Sequence, residues 1–247
     1  MSIEQAIADF AAKSGNGAFP NIPRDKVAAG LLQRIASPQS VDQGQASLCG
    51  PASLAFSILS NLPAMWVDYV TSIYDRGATK LGKLLVKPSD GCRNARLGTK
   101  IAPVDWVGLA SLRDSENAMF SYDNPDAEFS GITMPGGLEE WFEKTGFKSV
   151  SNETNVWFTK GVGNLKEAAS KLDHGHSVCL FIWAEVINGH SPGLISIPNH
   201  WVVMTRRPQF SSNSVSFEIF TWGGRRTINM QLKKFLDAYY GYVAGKW

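Results

Sequence analysis

Cys49 stands directly before Gly-Pro at the head of an apolar run, in "VDQGQASLCGPASLAFS" (residues 41–57), and Gln43 lies six positions upstream of it. A thiol attacks as its thiolate, and a helix N-terminus favours that anion because backbone N–H groups and the macrodipole both point at it. The run "CGPASLAFSIL" supplies that setting if Cys49 opens a helix. Gly50 allows a close approach, and Pro51 is tolerated in a first turn, where a missing N–H forfeits no helical bond. A cysteine at a helix start is more often a small buried hydrophobe. Gln43 shifts that balance. A carbonyl under attack needs donors aimed at the developing oxyanion, and a side-chain amide together with the nucleophile's own N–H can provide two.

A thiol nucleophile also needs a base, usually a histidine remote in sequence. Of the four histidines, His174 and His176 in "LDHGH" fall at a helix end, where C-capping and a solvated turn account for them. His190 sits in the loop "INGHSPG", whereas His200 begins "HWVVMT", an apolar strand whose sheet would fix the ring. His200 is therefore the expected base. Neither HxxxH nor CxxC spacing occurs, so no metal centre and no cofactor is expected.

The elements that must hold these residues follow from apolar spacing. Residues 3–13 and 25–36 predict short helices separated by the Gly/Pro/Asn loop "SGNGAFPNIP". After Cys49, Leu54, Ala55, Ile58 and Leu62 recur at helical spacing until Pro63 breaks the pattern, and "AMWVDYVTSIYDRG" predicts a second helix capped by Gly77. Residues 78–100 are basic and aperiodic, the pattern of an exposed connection. "APVDWVGLASLRDS" is helical, residues 121–136 predict a surface loop, and "GLEEWFEKTGF" a short helix closed by Gly146. Beyond that point "NVWF", "SVCLFIW", "NHWVVMTRR", "SVSFEIFTW" and "RRTINM" predict strands, with the helix "NLKEAASKLDHG" between the first two. "LKKFLDAYYG" predicts a closing helical turn, and the aromatic end "FLDAYYGYVAGKW" core packing with a last strand. Helices first and an antiparallel sheet afterwards give an α+β fold with an active cleft between its halves.

Composition excludes several classes. A net charge of +2 over 247 residues, without a long Lys/Arg block, gives no nucleic-acid footprint. No stretch approaches the length of uninterrupted apolar residues that a membrane span needs. Three cysteines, Cys49, Cys92 and Cys179, cannot all pair within the chain, which favours folding in a reducing compartment over a disulfide framework. The N-terminus "MSIEQAIADFAAKSG" is amphipathic and acidic, unlike a cleavable secretory signal. Synthesis in the cytoplasm is expected, with any later delivery by a route that needs no such signal.

The segment "QGQASLCGPASLAFS" resembles the active-site segment of papain-like cysteine peptidases, in which a glutamine precedes the catalytic cysteine by six residues and a helix follows. Its "CGPA" form is closer to bacterial branches of that clan, the bacteriocin-processing and effector-type peptidases. "NHWVVM" is similar to their histidine strand, and "FTWGG" (220–224) to the Asn-Ser-Trp-Gly segment that carries the third catalytic residue. His200 lies 151 residues after Cys49, close to the ~130–150 found between these partners in papain-type enzymes. The resemblance implies a single papain-like catalytic domain over 1–247: a helical extension (1–40), a mainly helical subdomain (41–150) and a mainly β subdomain (151–247). It implies Cys49 as nucleophile, His200 as base and Gln43 at the oxyanion. Two departures bear on mechanism. Ala46 replaces a cysteine that papains pair in a disulfide, and Phe220 falls where the orienting asparagine belongs. Thr221 is the nearest polar substitute for that asparagine and a backbone carbonyl or a water is another, so the expectation is a Cys49–His200 dyad with its third member unassigned. Trp222 and Gly50 would line the substrate side.

The expected activity is cleavage of a protein substrate through a thioester acyl-enzyme. Deamidase, transglutaminase and peptidoglycan amidase chemistry use the same thiol, and a catalytically inert binding module on the same scaffold is the competing non-enzyme. No inhibitory propeptide is recognisable ahead of Cys49. That points to an effector toxin restrained by a cognate immunity or inhibitor protein.

Overall fold

The computed structural model describes residues 1–116, 132–193 and 196–247. Within them the chain gathers into two compact units. One comprises Met1–Thr133 with Trp222–Gly224, the other Met134–Thr221 with Arg225–Trp247. The fold is α+β, with helices and a curled antiparallel sheet.

The first unit is built on helices α1 (Ile3–Ala11), α2 (Arg24–Ala36), α3 (Cys49–Asn61) and α4 (Pro63–Arg76). A hairpin β1 (Thr79–Leu81)–β2 (Leu84–Val86) and the short helix α5 (Asp90–Arg93) follow. Every residue of α3 from Cys49 to Leu59 is buried. A helix apolar on all sides belongs to a core, and α4 packs alongside it. Pro63 does break α3, but it also opens α4, since φ is already set for a first turn. Gly77 ends α4 in the left-handed conformation at φ +73°. The first forty residues are integral to this unit. The Arg24 guanidinium lies over the rings of Phe10 and Tyr74, 4.7 and 4.8 Å from their centroids, and pairs with Asp75. Helix α6 (Pro103–Asp105) runs through a π-helical stretch, Trp106–Ala110, into α7 (Ser111–Glu116). The widened turn leaves the Gly108 carbonyl for the Tyr69 hydroxyl, which donates to it at 2.8 Å.

The second unit opens with α8 (Pro135–Thr145), closed by Gly146 at φ +106°. Strand β3 (Lys148–Asn152), helix α9 (Val162–Asp173), β4 (His176–Ile182), β5 (His200–Met204), β6 (Gln209–Phe210), β7 (Ser214–Thr221) and β8 (Gly224–Gln231) come next. Helix α10 (Leu232–Leu236) and β9 (Tyr239–Lys246) complete it. The strands form a seven-stranded sheet in the order β3-β9-β4-β5-β7-β6, with β8 on β7. One face carries Leu180, Ile182, Val202, Met204, Phe217 and Ile219 into a core closed by Leu165 and Ala168 of α9 and Phe235 of α10. On the other face Phe181 stacks on Trp201 at 4.4 Å.

Several sequence expectations need correction. "NVWF" is not a strand: Trp157 and Phe158 are exposed on a bend whose two N–H groups are taken by the Asn155 side chain at 2.8 and 2.9 Å. The strand lies earlier, at β3, held by β9. The aperiodic segment 78–100 contains the β1–β2 hairpin and α5, elements too short to show a period. In the expected loop 121–136, residues 121–131 lie outside the described residues, and Pro135 and Gly136 already belong to α8. The expected last strand is present at β9 and packs in the core. β9 pairs with both β3 and β4 and sits inside the sheet. Along the chain the first compact unit gives way to the second at Thr133/Met134, and α1 and α2 belong to the first.

Candidate active site: a thiol half and an imidazole half

In the first unit Cys49 is the first residue of α3, which puts its thiol and N–H at the positive end of a 13-residue helix. The thiol residue is 5% exposed, against 0% for Cys92 and Cys179, and none of the three is joined in a disulfide. Gly50 is buried, and a Cβ there would collide with the Thr133 side chain. Its small size serves packing against Thr133, a contact the sequence did not signal.

The loop ahead of Cys49 is tied down by hydrogen bonds from Asp42 to Ala46. The Gln43 carbonyl accepts from Ala46 N–H at 3.1 Å, and its side-chain Nε2 donates to the Ala46 carbonyl at 2.9 Å. An amide nitrogen carries two hydrogens, so one is left for a ligand. Gly44 adopts φ +60° with its backbone pressed on the Lys100 carbonyl, where no Cβ would fit. Its N–H donates to Asp42 Oδ1 at 2.9 Å. Asp42 N–H in turn donates to Asp105 Oδ2 at 3.2 Å, and Asp105 is gripped by the Arg34 guanidinium. Both Arg34 and Asp105 are buried. Burial lifts the Asp105 carboxyl to about 6, against the pull of Arg34 and the Asp42 N–H, so it is ionised at neutral pH.

In the second unit His200 begins β5, between Asn199 and a fully buried strand. Asn199 N–H donates to the Ile182 carbonyl at 3.0 Å, and Asn199 Oδ1 accepts from Ala184 N–H at 2.7 Å. The backbone entering His200 is therefore fixed before the ring is placed. The ring is 4% exposed, and its Nε2 lies 2.7 Å from the Thr221 hydroxyl at the end of β7. The pairing of Val203 with Phe220 explains that meeting. One step further along the ladder, Thr221 falls on the same face as Val202 and hence as His200, while Phe220 points to the opposite face. Burial lowers the His200 imidazole to about 4, so it is neutral at physiological pH. Either partner can donate in that bond, and in the tautomer that donates Nε2–H to the threonine Nδ1 carries the lone pair.

Trp222 and Gly223 join β7 to β8 through left-handed residues, φ +45° and +68°. A bulky side chain in that region is an outlier held by its surroundings. Gly223 belongs to the first unit, where an added Cβ would lie 2.9 Å from the Asp42 carboxylate.

The other histidines are engaged as chain ends. His174 and His176 Nδ1 lie 2.7 and 3.1 Å from the Ser170 and Lys171 carbonyls, and exposed His190 pairs with Glu185 at 3.0 Å. Among the described residues no group of three or more His, Cys, Asp or Glu is placed to hold a metal, and no helix is long and apolar enough to cross a membrane. Sequence reasoning missed Arg34, Asp105, Thr133 and Asn199. A lone acid inside the apolar stretch "APVDWVGLA" was the one available signal for Asp105, because a buried carboxylate demands a partner. Searches of protein-family models, of curated proteins and of solved structures find no match to this chain.

Proposed function

We propose that this chain is a cysteine-dependent acyl-transfer hydrolase with a papain-like arrangement of roles, acting on a protein substrate. The observation that carries the proposal is the His200 imidazole, buried, neutral and oriented through Nε2 by Thr221. A general base needs its ring held in place, and a bond at one ring nitrogen does that. Support on the other side comes from Cys49 at the head of α3 and Gln43 fixed ahead of it.

In the proposed cycle His200 Nδ1 takes the Cys49 proton and the thiolate attacks the substrate carbonyl. The carbonyl π electrons move to oxygen, where the Cys49 N–H and the Gln43 amide donate to the oxyanion. Collapse expels the amine, which takes the proton from His200, and leaves a thioester. Water, deprotonated by the same imidazole, then releases the acid and restores the thiol.

Alkylation with iodoacetamide at neutral pH, read by intact mass and peptide mapping, tests the pair. Cys49 should label far faster than Cys92 and Cys179, and His200→Gln should erase that lead. Equal slow labelling of all three thiols in the wild type would sink the proposal. New N-termini in a bacterial lysate treated with wild type, but not with Cys49→Ala, would establish peptidase action. Ammonia release without new termini would move the assignment to a deamidase.

A further inference from the structure

We propose that the buried Arg34–Asp105 ion pair is a positioning device for the oxyanion donor Gln43, acting through the Asp42 backbone. The proposal rests on the thiol mechanism above. The chain of contacts is short and directional. The Arg34 fork fixes Asp105, Asp105 Oδ2 accepts from the Asp42 N–H, and the Asp42 side chain accepts from Gly44 N–H. Those two bonds bracket Gln43, the residue between Asp42 and Gly44. The next residue is held as well, since Gln45 N–H donates to the Lys100 carbonyl at 3.2 Å.

Packing holds the loop at Gly44, against the Lys100 carbonyl, and leaves another side open. A cavity of about 560 Å³ opens beside it, lined by Arg34, Asp42, Gly44, Lys100, Val104 and Gly223 among others. A loop bordering open space can retreat into it unless a bond forbids the movement. The cost of the pair makes the same point. Burying two charges is rarely a net gain in stability, and an apolar pair of similar volume often does as well. The pair therefore reads as specifying a position. Donors to an oxyanion lose their effect when displaced by about 1 Å, so a small movement of Gln43 is enough to matter.

The test separates acyl transfer from simple nucleophilicity. Acylation of Cys49 by p-nitrophenyl acetate passes through an oxyanion, whereas alkylation by iodoacetamide does not. Asp105→Asn should slow acylation on the order of 10- to 100-fold while leaving alkylation within about threefold. Gln43→Ala should give a similar loss, and adding Asp105→Asn to it should cost nothing more, because both act through one donor. If Asp105→Asn fails to fold, Arg34→Met/Asp105→Leu removes the acceptor for Asp42 without stranding a charge, and should show the same selective loss.

Unchanged acylation in these folded variants would overturn the positioning role while leaving the thiol mechanism standing. So would equal slowing of both reactions, or losses that multiply with that of Gln43→Ala. Failure of the parent mechanism looks different. Wild-type Cys49 would then show no preference over Cys92 and Cys179 for either reagent, and the positioning role would fall with it.

Discussion

Two buried titratable groups, one in each unit, handle charge in opposite ways. Asp105 keeps its charge at neutral pH because Arg34 and the Asp42 N–H meet both carboxylate oxygens. His200, buried to the same degree, meets a neutral hydroxyl and sheds its charge. The difference follows from the partner each group meets, and it suits the two roles proposed above. A fixed ion pair holds backbone in place and gains nothing from exchanging protons. A base must give up its proton at rest and recover it during reaction, so a neutral imidazole with one nitrogen tethered is the suitable state.

The largest expected effects test whether the two halves are one device. Cys49→Ala should abolish acyl transfer to p-nitrophenyl acetate, a loss of at least about 10³-fold. His200→Gln should lose on the order of 10²- to 10⁴-fold and leave slow residual chemistry from the thiol itself. A His200→Gln protein as active as wild type would break the proposed partnership of Cys49 and His200.

Stability against pH sharpens the contrast between Asp105 and His200. The folded His200 value of about 4 lies below the unfolded 6.5. Between those values the unfolded state binds more protons, so stability rises with pH across the window and is lost as pH falls through it, by about 3 kcal/mol. Asp105 does the reverse. Its folded value of about 6 exceeds 3.8, the native state binds more protons, and stability declines as pH climbs from about 4 to about 6. In wild type the two slopes offset each other. Urea unfolding at pH 4, 5, 6 and 7 should expose a falling curve in His200→Gln and a steeper rise in Asp105→Asn. Parallel curves in all three proteins would refute the contrast.

Thr221→Val should cost about tenfold in acylation, the effect of one buried hydrogen bond, and Thr221→Ser should restore most of it. The smallest effect belongs to the turn beyond it. Gly223→Ala combines a left-handed φ with a Cβ against Asp42 and should destabilise by about 1 kcal/mol or more, read as a lower urea midpoint.

Legibility in the sequence tracked the length of each signal. The helices around Cys49 and the strands β4, β5 and β7 carried enough consecutive apolar residues to declare their period. The β1–β2 hairpin, with three residues a strand, did not, and "NVWF" had strand composition without a strand. Among the candidate residues, Cys49 and His200 stood out because each opens an apolar element, and Gln43 because of its spacing from Cys49. Asp105 and Arg34 looked like ordinary helical charges, since the bond that joins them spans 71 residues.

The sequence by itself determined which residues are chemically able and which elements carry them: a thiol opening an apolar helix, an imidazole opening an apolar strand, a glutamine on the loop before the thiol. Only the tertiary structure decided protonation and aim. The strand register of β5 against β7 brings Thr221 to His200 Nε2 and turns Phe220 away, and burial then removes the imidazole charge. Local periodicity is written in neighbours a few residues apart. Desolvation and hydrogen bonding depend on which distant segments the fold packs around a group, and one sequence read alone does not contain that list.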